Sequence, residues 1–242
     1  MSLLSPDDPI VVALTEAIQA GDLPMLEQLL RDHPSLATSR IGTATKSRKV
    51  LHIVTDWPGH FPNGPATAKT LIAAGADVNA AVVGPHHSET PLHWAASSDD
   101  IAVLDTLLDS GANIEATGSV IGGGTPMADA VAFGQWKAAR RLLERGARTN
   151  LWQSAALGLL DRVEKFFSAG ERPKAEDVTN AFWCACHGGQ RGTAEYLLGK
   201  GADLNWVGYD ACTPLDAAVR RGATELADWL RTTGAKSKSE IS

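Results

Sequence analysis

The chain has 242 residues, 44% hydrophobic and 21% charged, with a formal net charge of −6. That composition is globular and excludes collagen and wholesale disorder. Basic residues come in pairs such as Arg140-Arg141 and Arg220-Arg221 and never in a run, which argues against a nucleic-acid partner.

Met1 to Pro9 carries two aspartates and no basic segment, so it does not read as a secretory signal. No apolar run approaches about 18 residues, so no membrane-spanning helix is expected. Three cysteines are too few, and odd in number, for a disulfide framework. A reducing compartment, the cytoplasm, is the expectation.

The first apolar-periodic segment, about 10–37, has Gly21 at its middle and ends in Leu29-Leu30-Arg31-Asp32-His33. The second, 48–80, is interrupted by Asp56 to Pro65. Prolines 58, 62 and 65 predict a structured loop there, not a helix. It closes with Leu71-Ile72, Gly75 and Ala76-Asp77-Val78-Asn79-Ala80. The third, 90–116, opens with Thr90-Pro91-Leu92-His93-Trp94-Ala95-Ala96, in which Thr caps a helix and Pro suits its first position. Thr125-Pro126-Met127 opens the fourth, 125–148. The fifth, 149–173, runs to Phe166-Phe167 and Gly170, the sixth, 180–206, to Leu197-Leu198 and Gly201. Thr213-Pro214-Leu215 opens the seventh, 213–235, and the Lys-Ser alternation of 237–242 predicts a frayed tail.

The closing glycines are spaced 36, 35, 24, 31 and 33 residues apart, and Thr90, Thr125 and Thr213 each precede theirs by 21. Each apolar face therefore ends at a residue free to adopt the left-handed conformation. The unit reads as helix, tight turn, helix, glycine, loop. The 24-residue gap from Gly146 to Gly170 leaves no room for an extended loop.

These motifs resemble the ankyrin-repeat family, with its TPLH-x-A-A helix start, paired leucines and GADVNA turn. The resemblance covers about residues 10 to 235 and implies an all-α ankyrin-repeat solenoid of about seven helix-turn-helix units with irregular finger loops, a single domain over 5–236. It implies that His52 and His93 bridge the backbones of adjacent units. The equivalent fourth position is Ala128, Trp152, Trp183 and Asp216 elsewhere, which puts regular stacking in question.

The resemblance also implies a concave groove for a protein partner. Counting from the threonines places Trp57, Trp94, Asp129, Phe133, Trp136 and His187 on it, with His60 in the proline-bound loop beside Trp57 and His86, His87 and Glu89 on a finger. Trp supplies large, rigid contact area of the kind found at binding hot spots. The bland alternative is that the Trp residues only pack between irregular units, as expected of Trp152, Trp183 and Trp229. The second functional reading is a pocket for a small apolar or aromatic ligand, closed by the 56–65 loop and the 82–89 finger. If it were an enzyme, His60 would be the acid or base and Asp56 or Asp129 its orienting group. No complete catalytic constellation is visible. His86-His87-x-Glu89 offers metal donors at a spacing matching no compact signature, and no metal or other cofactor is expected. Cys184 and His187, three apart, have nucleophile and base chemistry but no third residue, so core packing is the expectation.

Overall fold

The structure is a computed structural model and describes residues 3–168 and 172–241. It divides into two compact units, an N-terminal lobe to Ala147 and a C-terminal lobe from Arg148.

In the N-terminal lobe, helix pairs follow the predicted segments. They are α1 (Pro9–Ala20) with α2 (Leu23–Asp32), then α3 (Leu51–Val54) with α4 (Gly64–Ala73). Next come α5 (Pro91–Ser97) with α6 (Ile101–Asp109), and α7 (Pro126–Ala132) with α8 (Trp136–Glu144). Aspartates cap several starts: Asp8 accepts from the Ile10 N–H, Asp22 from Met25 and Asp100 from Val103, pairing amides that no helical carbonyl can reach. Helix α4 begins at Gly64, so Gly64 and Pro65, read as loop, form its first turn. The paired leucines do what their spacing requires. Leu71, Leu107 and Leu142 are fully buried, each contributing about 1.5–3 kcal/mol by transfer from water.

A small sheet joins these helices. β1 (Leu3–Leu4) pairs in parallel with β2 (Arg40–Gly42), which pairs antiparallel with β3 (Ser47–Lys49). Ser47 also exchanges backbone hydrogen bonds with Val83 on the next finger. Strands of two or three residues carry too little alternation to announce themselves in a sequence.

The C-terminal lobe contains α9 (Leu151–Ala156), α10 (Leu160–Ser168), α11 (Ala175–Gly188), α12 (Arg191–Gly199), α13 (Pro214–Arg221), α14 (Thr224–Thr232) and α15 (Lys238–Ile241). Gly188 lets α11 close onto α9, since a Cβ there would sit 1.9 Å from the Ala156 carbonyl oxygen. The closing glycine read at position 170 lies outside the described residues. In the tail, residues 238–241 form an exposed helical turn: Glu240 accepts from the Ser237 N–H and Asp216 from the Lys238 N–H.

Repeats are tied by polar groups at recurring positions. His52 Nδ1 accepts from Lys49 N–H, which leaves Nε2 to donate to the Glu89 carbonyl at 3.1 Å. His93 repeats this between Thr90 N–H and the Gly124 carbonyl. Trp183 does it by indole donation to the Cys212 carbonyl at 2.9 Å, and Asp216 through Lys238. At Trp183 and Asp216, loss of histidine thus removes the imidazole but not the tie. Asn79 makes a second kind of link, donating to the Gly111 carbonyl and accepting from Asn113 N–H. Asn205 accepts likewise from Lys236 N–H.

Candidate functional site

The expected groove residues of the N-terminal lobe fall into two settings. The first is a buried polar cluster beneath the fingers. Glu89, 6% exposed, accepts the Trp94 indole N–H at 2.9 Å on one oxygen and the Val120 N–H at 3.0 Å on the other. His87 Nδ1 lies 3.2 Å from Glu89 at an ion-pair distance without hydrogen-bond alignment. The Trp94 ring meets His52 edge to face at 4.9 Å and lies 6.0 Å from the Arg48 guanidinium, which pairs with Asp56. Asp129 is fully buried. It accepts from Ser119, whose oxygen also takes the Ile121 N–H, while its second oxygen has no hydrogen-bond partner among the described residues. Burial pushes the Asp129 carboxyl up to about 8; nearby Glu89 adds to the rise and the Ser119 hydroxyl opposes it.

This cluster pins two fingers to the helices behind them. Ser88 N–H donating to the Gly118 carbonyl adds a direct finger-to-finger bond. Sequence reasoning found Glu89, Trp94 and Asp129 but missed Arg48, Ser119 and the Val120 amide. Ser119 and Asp129 are ten residues apart across a glycine-rich loop, a separation with no helical or strand periodicity.

The second setting is an outward edge. Trp57 is 76% exposed and Phe133 50% exposed. The loop carrying Trp57 is tied down along its length. Asp56 accepts the Trp57 N–H with its side chain and the Gly59 N–H with its carbonyl. Asp100, already the cap of α6, takes the His60 N–H, while the His60 ring donates to the Ser98 carbonyl at 3.0 Å. Asn63 donates to the Gly21 carbonyl. Ser97-Ser98 lies between the two aromatics. Gly59 packs against Ser98 on one side, and Gln135, two residues after Phe133, donates to the Ser97 carbonyl on the other. Trp136 is half-buried and His86 exposed.

The three residues weighed for acid–base chemistry have separate partners: His60 holds Ser98, Asp56 holds Arg48, and Asp129 holds Ser119. Among the described residues there is no group of three or more His, Cys, Asp or Glu arranged to hold a metal ion. No helix of the described residues is long and apolar enough to cross a membrane.

His187 belongs to the C-terminal lobe, where it stacks on Trp183 at 5.4 Å. Tyr209 meets Trp183 edge to face at 5.1 Å and donates to Asn180. Cys184 is buried and its thiol is pushed up to about 12 by desolvation, which removes the thiolate a nucleophile needs. Trp229 is half-buried, not core.

The profile of ankyrin repeats, in three copies, matches residues 14–118, 61–152 and 151–240. The ankyrin repeat and KH domain-containing protein mask-1 of Caenorhabditis elegans is 30% identical over 154 residues, 58% of this chain and 6% of that protein. Its namesake CBG24701 of Caenorhabditis briggsae is 29% identical over 157 residues, 60% of this chain and 6% of that one. The chain therefore spans about 6% of the length of these curated relatives. The crystal structure of the human ASB11 ankyrin repeat domain matches 95% of this chain and 99% of its own with a TM-score of 0.54. At 21% identity that likeness concerns the fold. With the Thr-Pro helix starts, the interrepeat histidines and the profile running from residue 14 to 240, the chain belongs to the ankyrin-repeat family.

Proposed function

We propose that the chain is a protein-binding ankyrin-repeat module whose recognition edge is Trp57, Ser97-Ser98 and Phe133, and that it works in the cytoplasm. Ankyrin repeats are in general protein-interaction modules. The observation that carries the choice of edge is Trp57, 76% exposed on a loop whose polar groups are satisfied internally. A large ring held outward on a fixed loop has little conformational freedom left to lose on binding. The N-terminal lobe holds 16 of the 28 acidic and 10 of the 22 basic residues, and so the whole formal charge of −6. An indole face in that field suits a partner segment bearing Lys or Arg, through cation–π contact and charge steering. Glu89, His87 and Trp94 support the edge from beneath, by fixing the fingers.

The test is affinity isolation with the wild-type chain and with Trp57→Ala and Phe133→Ala. A partner held by the wild type should be lost by both variants, and its capture should weaken with added salt. Retention of the same partners by both variants removes this edge as the recognition surface.

A further inference from the structure

The C-terminal lobe holds a cavity of about 650 Å³ whose walls include Trp152, Phe166, Lys165, Arg172, Lys174 and Asp177. The helix beside it, α9, differs in length from its counterparts. From helix cap to left-handed turn residue, Thr90 to Asp99, Thr125 to Gly134 and Thr213 to Gly222 span the same number of residues. Asn150 to Gly158, around α9, is one residue shorter. The capping box then closes between Asn150 and Gln153, with mutual bonds of 3.0 Å, where the other repeats use Thr90 with His93 and Thr213 with Asp216. Gln153 takes the cap and is buried. Trp152, counted from the turn, stands where His93, Trp183 and Asp216 make their ties. Among the described residues its side chain makes no hydrogen bond, and it forms a wall of the cavity instead.

Among the described lining residues three cations accompany one carboxylate. Among the described residues Lys165 and Arg172 enter no ion pair, and Lys174 has only Glu176 at 3.9 Å, both side chains exposed. The volume lies within the range of small-molecule sites, about 300–1,000 Å³.

We propose that this cavity binds a small organic anion, a flat apolar ring bearing a carboxylate or phosphate. The ring packs against Trp152 and Phe166. The anionic group meets Lys165 and Arg172, whose guanidinium fork matches a carboxylate or phosphate edge. The site is separate from the Trp57 edge, so either reading can fail without the other.

The experiment is calorimetric titration of the full chain with 2-naphthoate, with 2-naphthalenemethanol as the uncharged ring, and with acetate as the ringless anion. Naphthoate should bind saturably, and each of the other two at least about tenfold more weakly, the ratio equivalent to 1.4 kcal/mol. Arg172→Ala and Trp152→Leu should each weaken naphthoate about tenfold. Lys165→Ala, on an exposed position of α10, should weaken it without disturbing the fold, as read by circular dichroism. Absence of naphthoate binding at millimolar concentration overturns the proposal, as does equal binding of the alcohol or indifference to all three substitutions. Binding of an acidic, Trp-containing peptide in place of naphthoate also overturns it, and reassigns the cavity to docking of a protein segment.

Discussion

Trp94 donates its indole N–H to Glu89 at 2.9 Å, across five residues that join a finger to the helix behind it. The other Glu89 oxygen holds Val120 on the next finger. Replacing Glu89 with Ala leaves both donors without this acceptor. Urea unfolding should show a loss of about 2–3 kcal/mol, and about 1 kcal/mol for Glu89→Gln, which keeps one acceptor. Equal stability of the three proteins would mean that water serves the fingers as well as the carboxylate does.

Asp129 gives the fold a pH dependence of definite sign. Its carboxyl is raised to about 8 from an ordinary 3.8, so the folded state holds a proton that the unfolded state releases between those values. Its contribution is complete below about pH 4 and lost as pH rises through about 8. Asp129→Asn, permanently neutral, should diverge from the wild type by up to about 1.4 kcal/mol per pH unit within that window, and no further above it. Thermal melts of both proteins from pH 4 to 9 measure this. Parallel curves refute it.

His52 acts in the opposite direction. Burial lowers its pKa from 6.5 to about 4, so the folded protein keeps it neutral where the unfolded chain would charge it. Stability falls as pH drops from 6.5 toward 4. His52→Asn should be less stable at neutral pH but should lose less on acidification over that range. His93 is lowered by the same desolvation, so some acid sensitivity remains in the variant.

Trp183→Phe removes the donor to the Cys212 carbonyl while keeping an aromatic ring beside His187 and Tyr209. A loss of about 1–2 kcal/mol is expected from the unpaired carbonyl and the smaller ring. Unfolding at an unchanged urea midpoint would show that the ring alone, and not the interrepeat bond, matters at this position.

Trp57→Ala, by contrast, should change stability by less than about 0.5 kcal/mol, because the side chain is 76% exposed and the loop is held by Asp56, His60 and Asn63. A larger loss in the same urea titration would place the ring in the scaffold and weaken its assignment to recognition.

The helix pairs were legible because the cues agreed. Threonine caps, prolines at the first helical position, paired leucines and closing glycines each mark the same boundaries. The β2–β3 hairpin was not, being too short to show a period. Of the candidate site, Trp57 and Phe133 could be placed by counting from the threonines. Glu89 and Asp129 could be named, but their partners Val120 and Ser119 come from a loop whose path no periodicity dictates. Trp152, read as packing at the former histidine position, is half-buried, and the shortening of α9 shows only in the Asn150–Gln153 cap.

In a helix each residue turns the chain by about 100°, so the missing residue of α9 is a change of phase more than of size. An alignment that matches motif letters sets Trp152 against His93 and sees a substitution. The change is better described as a skipped beat at the cap, where a glutamine, and not the indole, closes the box with Asn150. One residue added between Asn150 and Trp152 would set the indole three residues after the cap, where Thr90 has His93 and Thr213 has Asp216. Specificity in such a protein can therefore be written in the count of residues as well as in their kinds.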